Sequence, residues 1–166
     1  MSYELAWRYS PREDWCPPGH SLAIQHGLWI PTTSYFVVRV GAMSALIDLM
    51  VERNMLSFGD APPEPVPESF GITDPPYPGS TDFSQNPDPS LEAFEDAWWL
   101  TRQMRLPERG IALYKLCSND HWWVRPDEIN EALECAARWP SGENFLWNDW
   151  LAYVRGAATH GGFTVL

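Results

Sequence analysis

The stretch Ile111-Ala-Leu-Tyr-Lys-Leu-Cys117, Ser118-Asn-Asp120, His121-Trp-Trp-Val124, followed by Arg125-Pro-Asp-Glu128, decides the fold. Ile111 to Cys117 is apolar and aromatic enough for a strand, and Ser118-Asn119-Asp120 has the side chains of a tight turn. Trp122 to Val124 then reads as a short second strand. Pro126-Asp127-Glu128 opens a helix, with Pro in the first turn and carboxylates at the positive end of its dipole. Ile129, Ala132, Leu133 and Ala136 give that helix one apolar stripe. Strand, turn, strand and helix in close succession point to α+β: a small antiparallel or mixed sheet packed against about four helices. A doubly wound parallel sheet needs more strand–helix–strand units than the chain contains.

The flanks extend this reading. Upstream, Tyr3, Leu5 and Trp7 alternate with polar residues as a half-buried strand does. Pro11 to Gly19 is a loop, and Leu22–Ile30 with Ser34–Val40 predicts a hairpin. Gly41–Leu56 predicts a helix through Met43, Leu46, Ile47, Met50 and Val51. Asp88-Pro89-Ser90 predicts a helix start that runs to Leu106, with Phe94, Ala97, Trp98 and Met104 inside. Downstream of Pro140-Ser-Gly142, a last helix carries Trp147, Trp150, Leu151, Val154 and Ala158. His160 is its C-terminal residue, Gly161-Gly162 stops it, and Phe163–Leu166 forms an edge strand. The 166 residues suit a single domain, 1–166, with one core.

Charge separates one region from the rest. The chain has 22 acidic and 11 basic side chains, a net −11, and ten of the basic residues are Arg, Lys115 being the single lysine. Between Asn54 and Thr101 there is no base and there are nine acids: Asp60, Glu64, Glu68, Asp74, Asp82, Asp88, Glu92, Glu95 and Asp96. The remainder, 13 acids against 11 bases, is close to neutral. Nine of the 16 prolines lie between Pro62 and Pro89, which excludes a helix interior or a central strand over most of that stretch. Residues 57–89 are therefore expected to form a long, acidic, Pro-rich loop of polyproline II character, with Phe70, Ile72, Tyr77 and Phe83 folding back on protein. Arg102, Arg105 and Arg109 follow it as a candidate positive patch.

Acidity argues against direct nucleic-acid binding, because phosphate affinity comes from Lys and Arg. The same sign argues against anionic membrane surfaces, and no apolar run is long enough to span a bilayer. Three cysteines without an export signal point to a reducing, cytoplasmic setting. Chemistry-bearing residues are sparse. Cys16-x3-His20 and Cys117-x3-His121 together make a Cys2His2 set for zinc, although this spacing occurs readily by coincidence. Cys117, Asp120 and His121 form a nucleophile or acid/base candidate; a conformational turn and small buried thiols explain the same residues without chemistry. No phosphate-cradling glycine loop, nucleophile elbow or zinc-protease helix is present, and no cofactor is implied.

The expected partner is a basic protein met by the nine acids together with Trp98, Trp99 and Trp122. Adjacent tryptophans such as 98-99 and 122-123 cannot both point inward, and an exposed Trp favours an interface. In style, being small, acidic and tryptophan-rich, the chain resembles immunity proteins of bacterial toxin systems and phage-encoded inhibitors. It matches none of their motifs, so the likeness assigns no residue a role. The function expected is therefore a non-catalytic inhibitor that neutralises a basic nuclease, toxin or defence factor. A small enzyme built on Cys117, Asp120 and His121 is one alternative. A structural or assembly accessory, with self-association open, is the other.

Overall fold

Alternation along the first strand, β1 (Ser2–Trp7), buries Leu5 and Trp7 on one side of the sheet. A computed structural model of the protein describes residues 2–8, 35–73, 88–139 and 144–166. In it, β1 pairs antiparallel with β2 (Tyr35–Arg39), Leu5 standing opposite Phe36. The segment expected to form a hairpin with β2, Leu22–Ile30, lies outside the described residues, as do Pro11–Gly19 and Pro140–Gly142. The other edge of β1 pairs antiparallel with β6 (Phe163–Val165), which in turn pairs with β5 (Trp123–Val124). The order is therefore β2-β1-β6-β5. Phe163–Leu166, expected at an edge, lies instead between two neighbours, and both Phe163 and Val165 are fully buried. The correction has a simple cause: a short apolar strand looks the same at an edge or a centre until its partners, far away in sequence, are known.

A second, two-stranded sheet joins β3 (Leu56–Ser57) to β4 (Ile111–Ala112) in parallel. The strand expected over Ile111–Cys117 ends at Ala112, and Leu113–Leu116 winds into a 3-10 turn. Its hairpin with Trp122–Val124 does not form, because β4 and β5 belong to different sheets. β3 offers only two residues for pairing, and the 3-10 turn buries Lys115 and Leu116 together. Gly110 enters β4 at φ +95, where its backbone lies so close to the Met55 carbonyl that no Cβ would fit.

Four α-helices occur among the described residues. α1 (Val40–Glu52) buries Met43, Leu46 and Met50 as its spacing predicts. It ends four residues earlier than expected, because Asn54 takes a left-handed φ of 53° and the Met55 amide closes back onto the Met50 carbonyl at 2.9 Å. α3 (Pro126–Ala136) and α4 (Phe145–Thr159) pack on each other, and α1 packs on α4, β1 and β2. Trp147, Trp150, Tyr153, Val154 and Ala157 of α4 meet Phe36 and Phe163 of the sheet in one core. Tyr153 stands among four aromatic neighbours, Trp7, Phe36, Trp150 and Phe163, with ring centroids 5.2–6.0 Å away.

Two compact units result: Met1–Asp60 with Arg105–Leu166, and Ala61–Met104. The second contains a 3-10 turn (Pro67–Phe70) and α2 (Pro89–Arg102). Phe70 meets Phe94 of α2 edge-on at 5.6 Å, so at least one apolar residue of the Pro-rich stretch packs within its own unit. Asp88 caps α2 through the Ser90 amide at 2.9 Å. The helix stops at Arg102 rather than Leu106: the Gln103 and Met104 amides bond three residues back, to Leu100 and Thr101, and the Thr101 hydroxyl donates to the Ala97 carbonyl at 2.9 Å.

Candidate functional site

The acidic segment supplies the site, and its cation content sets its electrostatics. Residues 61–104 contain eight acids and one base, Arg102. That base is buried: its guanidinium donates to Glu64 Oε1 at 2.7 Å and lies over the Trp98 ring, 4.4 Å from the centroid. Asp88 is occupied as the cap of α2, and Glu95 accepts from the Trp99 indole N–H at 3.4 Å. Glu68 lies exposed in the 3-10 turn, and Glu92 and Asp96 are exposed on α2. Asp60 is exposed in the other unit, while Asp74 and Asp82 fall outside the described residues.

Of the tryptophans expected to contact a partner, Trp98 and Trp122 are buried, at 5% and 3% exposure. Trp99 is half-buried and meets Trp98 edge-on at 4.9 Å. Trp122 packs edge-on against Tyr114 at 4.7 Å. Trp99 is thus the accessible member of the set, and the exposed apolar side chains nearest to it in sequence are Leu100 and Met104, 66% and 53% exposed. Sequence reasoning placed Met104 inside a longer helix and so missed its exposure.

The candidate positive patch is not one. Besides the inward-facing Arg102, Arg105 donates to Asp127 at 2.7 Å and to Glu131 at 3.0 Å, and Arg109 meets Glu134 at 2.6 Å. Arg125 adds a second contact to Asp127 at 3.0 Å. These hydrogen bonds hold the Asp127 carboxyl below its usual range even though burial alone would raise it. Each arginine faces a carboxylate from its own unit.

The chemistry-bearing candidates around the Ser118–Asp120 turn are held by backbone geometry. Cys117 caps the 3-10 turn and its carbonyl accepts from the Tyr3 hydroxyl at 3.2 Å. It is exposed rather than the buried thiol expected, because the strand it was to end stops at Ala112. Partial desolvation raises its thiol pKa, away from the thiolate a nucleophile needs. His121 takes a φ of +59° and its amide donates to the Val165 carbonyl at 3.0 Å. Asp120 is half-buried beside it. Half of the zinc set, Cys16 and His20, lies outside the described residues. His160 does end α4, where its ring stacks on Trp7 at 4.5 Å and its Nδ1 lies 2.8 Å from the Gly156 carbonyl.

Sequence reading missed a buried ion pair. Lys115 Nζ donates to Glu128 Oε2 at 2.8 Å and to the Trp123 carbonyl at 2.9 Å, with both side chains essentially inaccessible. Glu128 Oε2 also accepts the Arg125 amide at 2.9 Å, capping α3. Burial lowers the Lys115 pKa, and the charge of Glu128 opposes it. One signal was available: the chain's single lysine sits within the apolar run Leu113-Tyr-Lys-Leu116, with a glutamate in the first turn of the next helix. Because neither head group reaches solvent, the pair holds the unit together and offers no substrate access.

Among the described residues, no helix is long and apolar enough to cross a membrane. No family model, curated protein or solved structure matches the chain.

Proposed function

We propose that the protein is a non-catalytic binding module of the inhibitor or immunity type, which neutralises a basic protein partner through residues 54–101. The observation that carries this reading is the charge of that segment: nine acids, no base, and the next arginine, Arg102, turned inward onto Glu64. A field of one sign attracts a basic cleft over several ångströms and speeds encounter in a salt-dependent way. Nucleases and other enzymes that handle nucleic acid carry such clefts, and an acidic segment can stand in for a phosphate backbone. The aromatic contribution falls to Trp99 rather than to the buried Trp98 and Trp122. The cytoplasm is the setting proposed, in keeping with the free thiols of Cys117 and Cys135.

The test is affinity capture from a native lysate, using the intact chain and a variant in which 60–88 is replaced by a Gly/Ser linker. The intact chain is expected to retain a basic protein that elutes as salt is raised, and the variant to lose it. Equal capture by both would remove the segment from the mechanism.

A further inference from the structure

α2 presents a two-part face to solvent. Besides Pro89 at its start, its exposed positions are Glu92, Ala93, Asp96 and Leu100, the last three at spacings of one, four and eight from Glu92, so they form one stripe along the helix. The N-terminal half of the stripe is acidic. The C-terminal half is apolar, ending on Leu100 and, just past the helix, Met104, both more than half exposed. The opposite face is taken up by Phe94, Trp98, Thr101 and Arg102, all buried. Neither Glu92 nor Asp96 forms an ion pair with any described residue.

We infer that this stripe is the docking surface, and that it takes a basic amphipathic helix of a partner protein. In that helix, cationic side chains stand over Glu92 and Asp96, and one apolar side chain stands over Leu100. The inference rests on the proposal that residues 54–101 bind a basic protein, and it names the face and the partner chemistry. Charge selects the occupant. A nucleic acid or an anionic membrane is repelled by the same carboxylates, and a second copy of a chain of charge −11 brings too few cations to answer them. An apolar position one turn beyond the acids adds what charge alone lacks, a contact that slows dissociation by excluding water. The geometry is that of helix recognition by spaced anchors, with acids and an apolar residue sharing one side.

The experiment is an amide NMR titration of the intact, isotope-labelled protein with a synthetic helical peptide. The peptide carries Lys at positions i and i+4 and Leu at i+8, and a scrambled peptide of the same composition serves as control. Shifts are expected to cluster on residues 92–104 and to be weaker with the scrambled peptide. Glu92→Gln with Asp96→Gln is expected to weaken binding about fivefold at low salt and less at high salt, as exposed ion pairs do. Leu100→Ser is expected to weaken it about tenfold at either salt, as loss of a buried leucine does. All three positions are exposed, so the variants keep the fold. Shifts confined to residues 58–73 would overturn this face while leaving the acidic segment as binder. Absence of shifts anywhere in 54–101 would overturn both. Equal binding of the scrambled peptide, or a dimer in sedimentation that Leu100→Ser abolishes, would also overturn the assignment.

Discussion

The two units treat charge in opposite ways. In the larger, several described cations meet carboxylates: Lys115 meets Glu128 in the core, Arg105, Arg109 and Arg125 meet Asp127, Glu131 and Glu134 around α3, and Arg53 meets Glu52. In the smaller, Arg102 meets Glu64, and among the described residues Glu68, Asp88, Glu92, Glu95 and Asp96 form no ion pair with a described cation. Inside a fold, removing one member of an ion pair strands the other at a cost, whereas acids left unpaired at a surface repel one another until salt or a cationic partner screens them. The contrast separates a region whose ion pairs lie within the fold from one whose described acids, Glu64 apart, form no ion pair with a described cation.

The largest test of that contrast is Lys115→Met. Removing one member of a buried pair strands the other, at a cost of about 3–5 kcal/mol. The double variant Lys115→Met with Glu128→Leu is expected to recover most of it, short by about 1 kcal/mol for the lost cap on the Arg125 amide. Urea unfolding of the three proteins measures this, and a single variant as stable as the parent would show that the pair does not hold the larger unit.

Next in size is alkaline unfolding, to which the tyrosines of the larger unit contribute. Burial, aided by Glu4 for Tyr35, by Glu128 for Tyr114 and by Tyr35 for Tyr153, raises all three phenols above their ordinary value, Tyr114 to about 12. An unfolded tyrosine ionises near pH 10. Above that pH the unfolded chain therefore releases protons that the folded one retains, and stability falls as pH rises from about 10 toward 12. Lys115 acts in the opposite sense, since its lowered pKa makes the unfolded chain the stronger proton binder below about pH 10. Tyrosinate absorbance followed together with urea midpoints tests the balance. Phenols that titrate near pH 10 without loss of structure would contradict their burial.

The smallest expected effect falls in the smaller unit. Asp88→Ala removes the cap from the Ser90 amide and should weaken α2 by about 1 kcal/mol. Faster amide exchange over the first turn of α2 reads it, with β1 and β6 unchanged. Exchange that rises in those strands as well would blur the line between the two units.

Local rules were legible in the chain. The cap at Asp88, the apolar stripes of α1, α3 and α4, and the Gly161-Gly162 stop follow from chemistry within a few residues of each position. Long-range facts were not. That Phe163–Val165 is a central strand depends on Trp7 and Trp123, each far off in sequence. That Lys115 points inward depends on a 3-10 turn chosen because Glu128 and the Trp123 carbonyl wait for its ammonium. In the site, the charge of residues 54–101 could be counted directly. The inward turn of Arg102 and the exposure of Leu100 and Met104 could not, since both depend on which side of α2 the fold covers.

The place of β6 sets an order of events during synthesis. Leu5 pairs with Val165, so β1 is made long before the strand that covers its second edge, and the loop between them takes in all the other described elements. While the ribosome is still at work, the edge of β1 that β6 will cover lacks that partner, and such an edge invites pairing with the wrong chain.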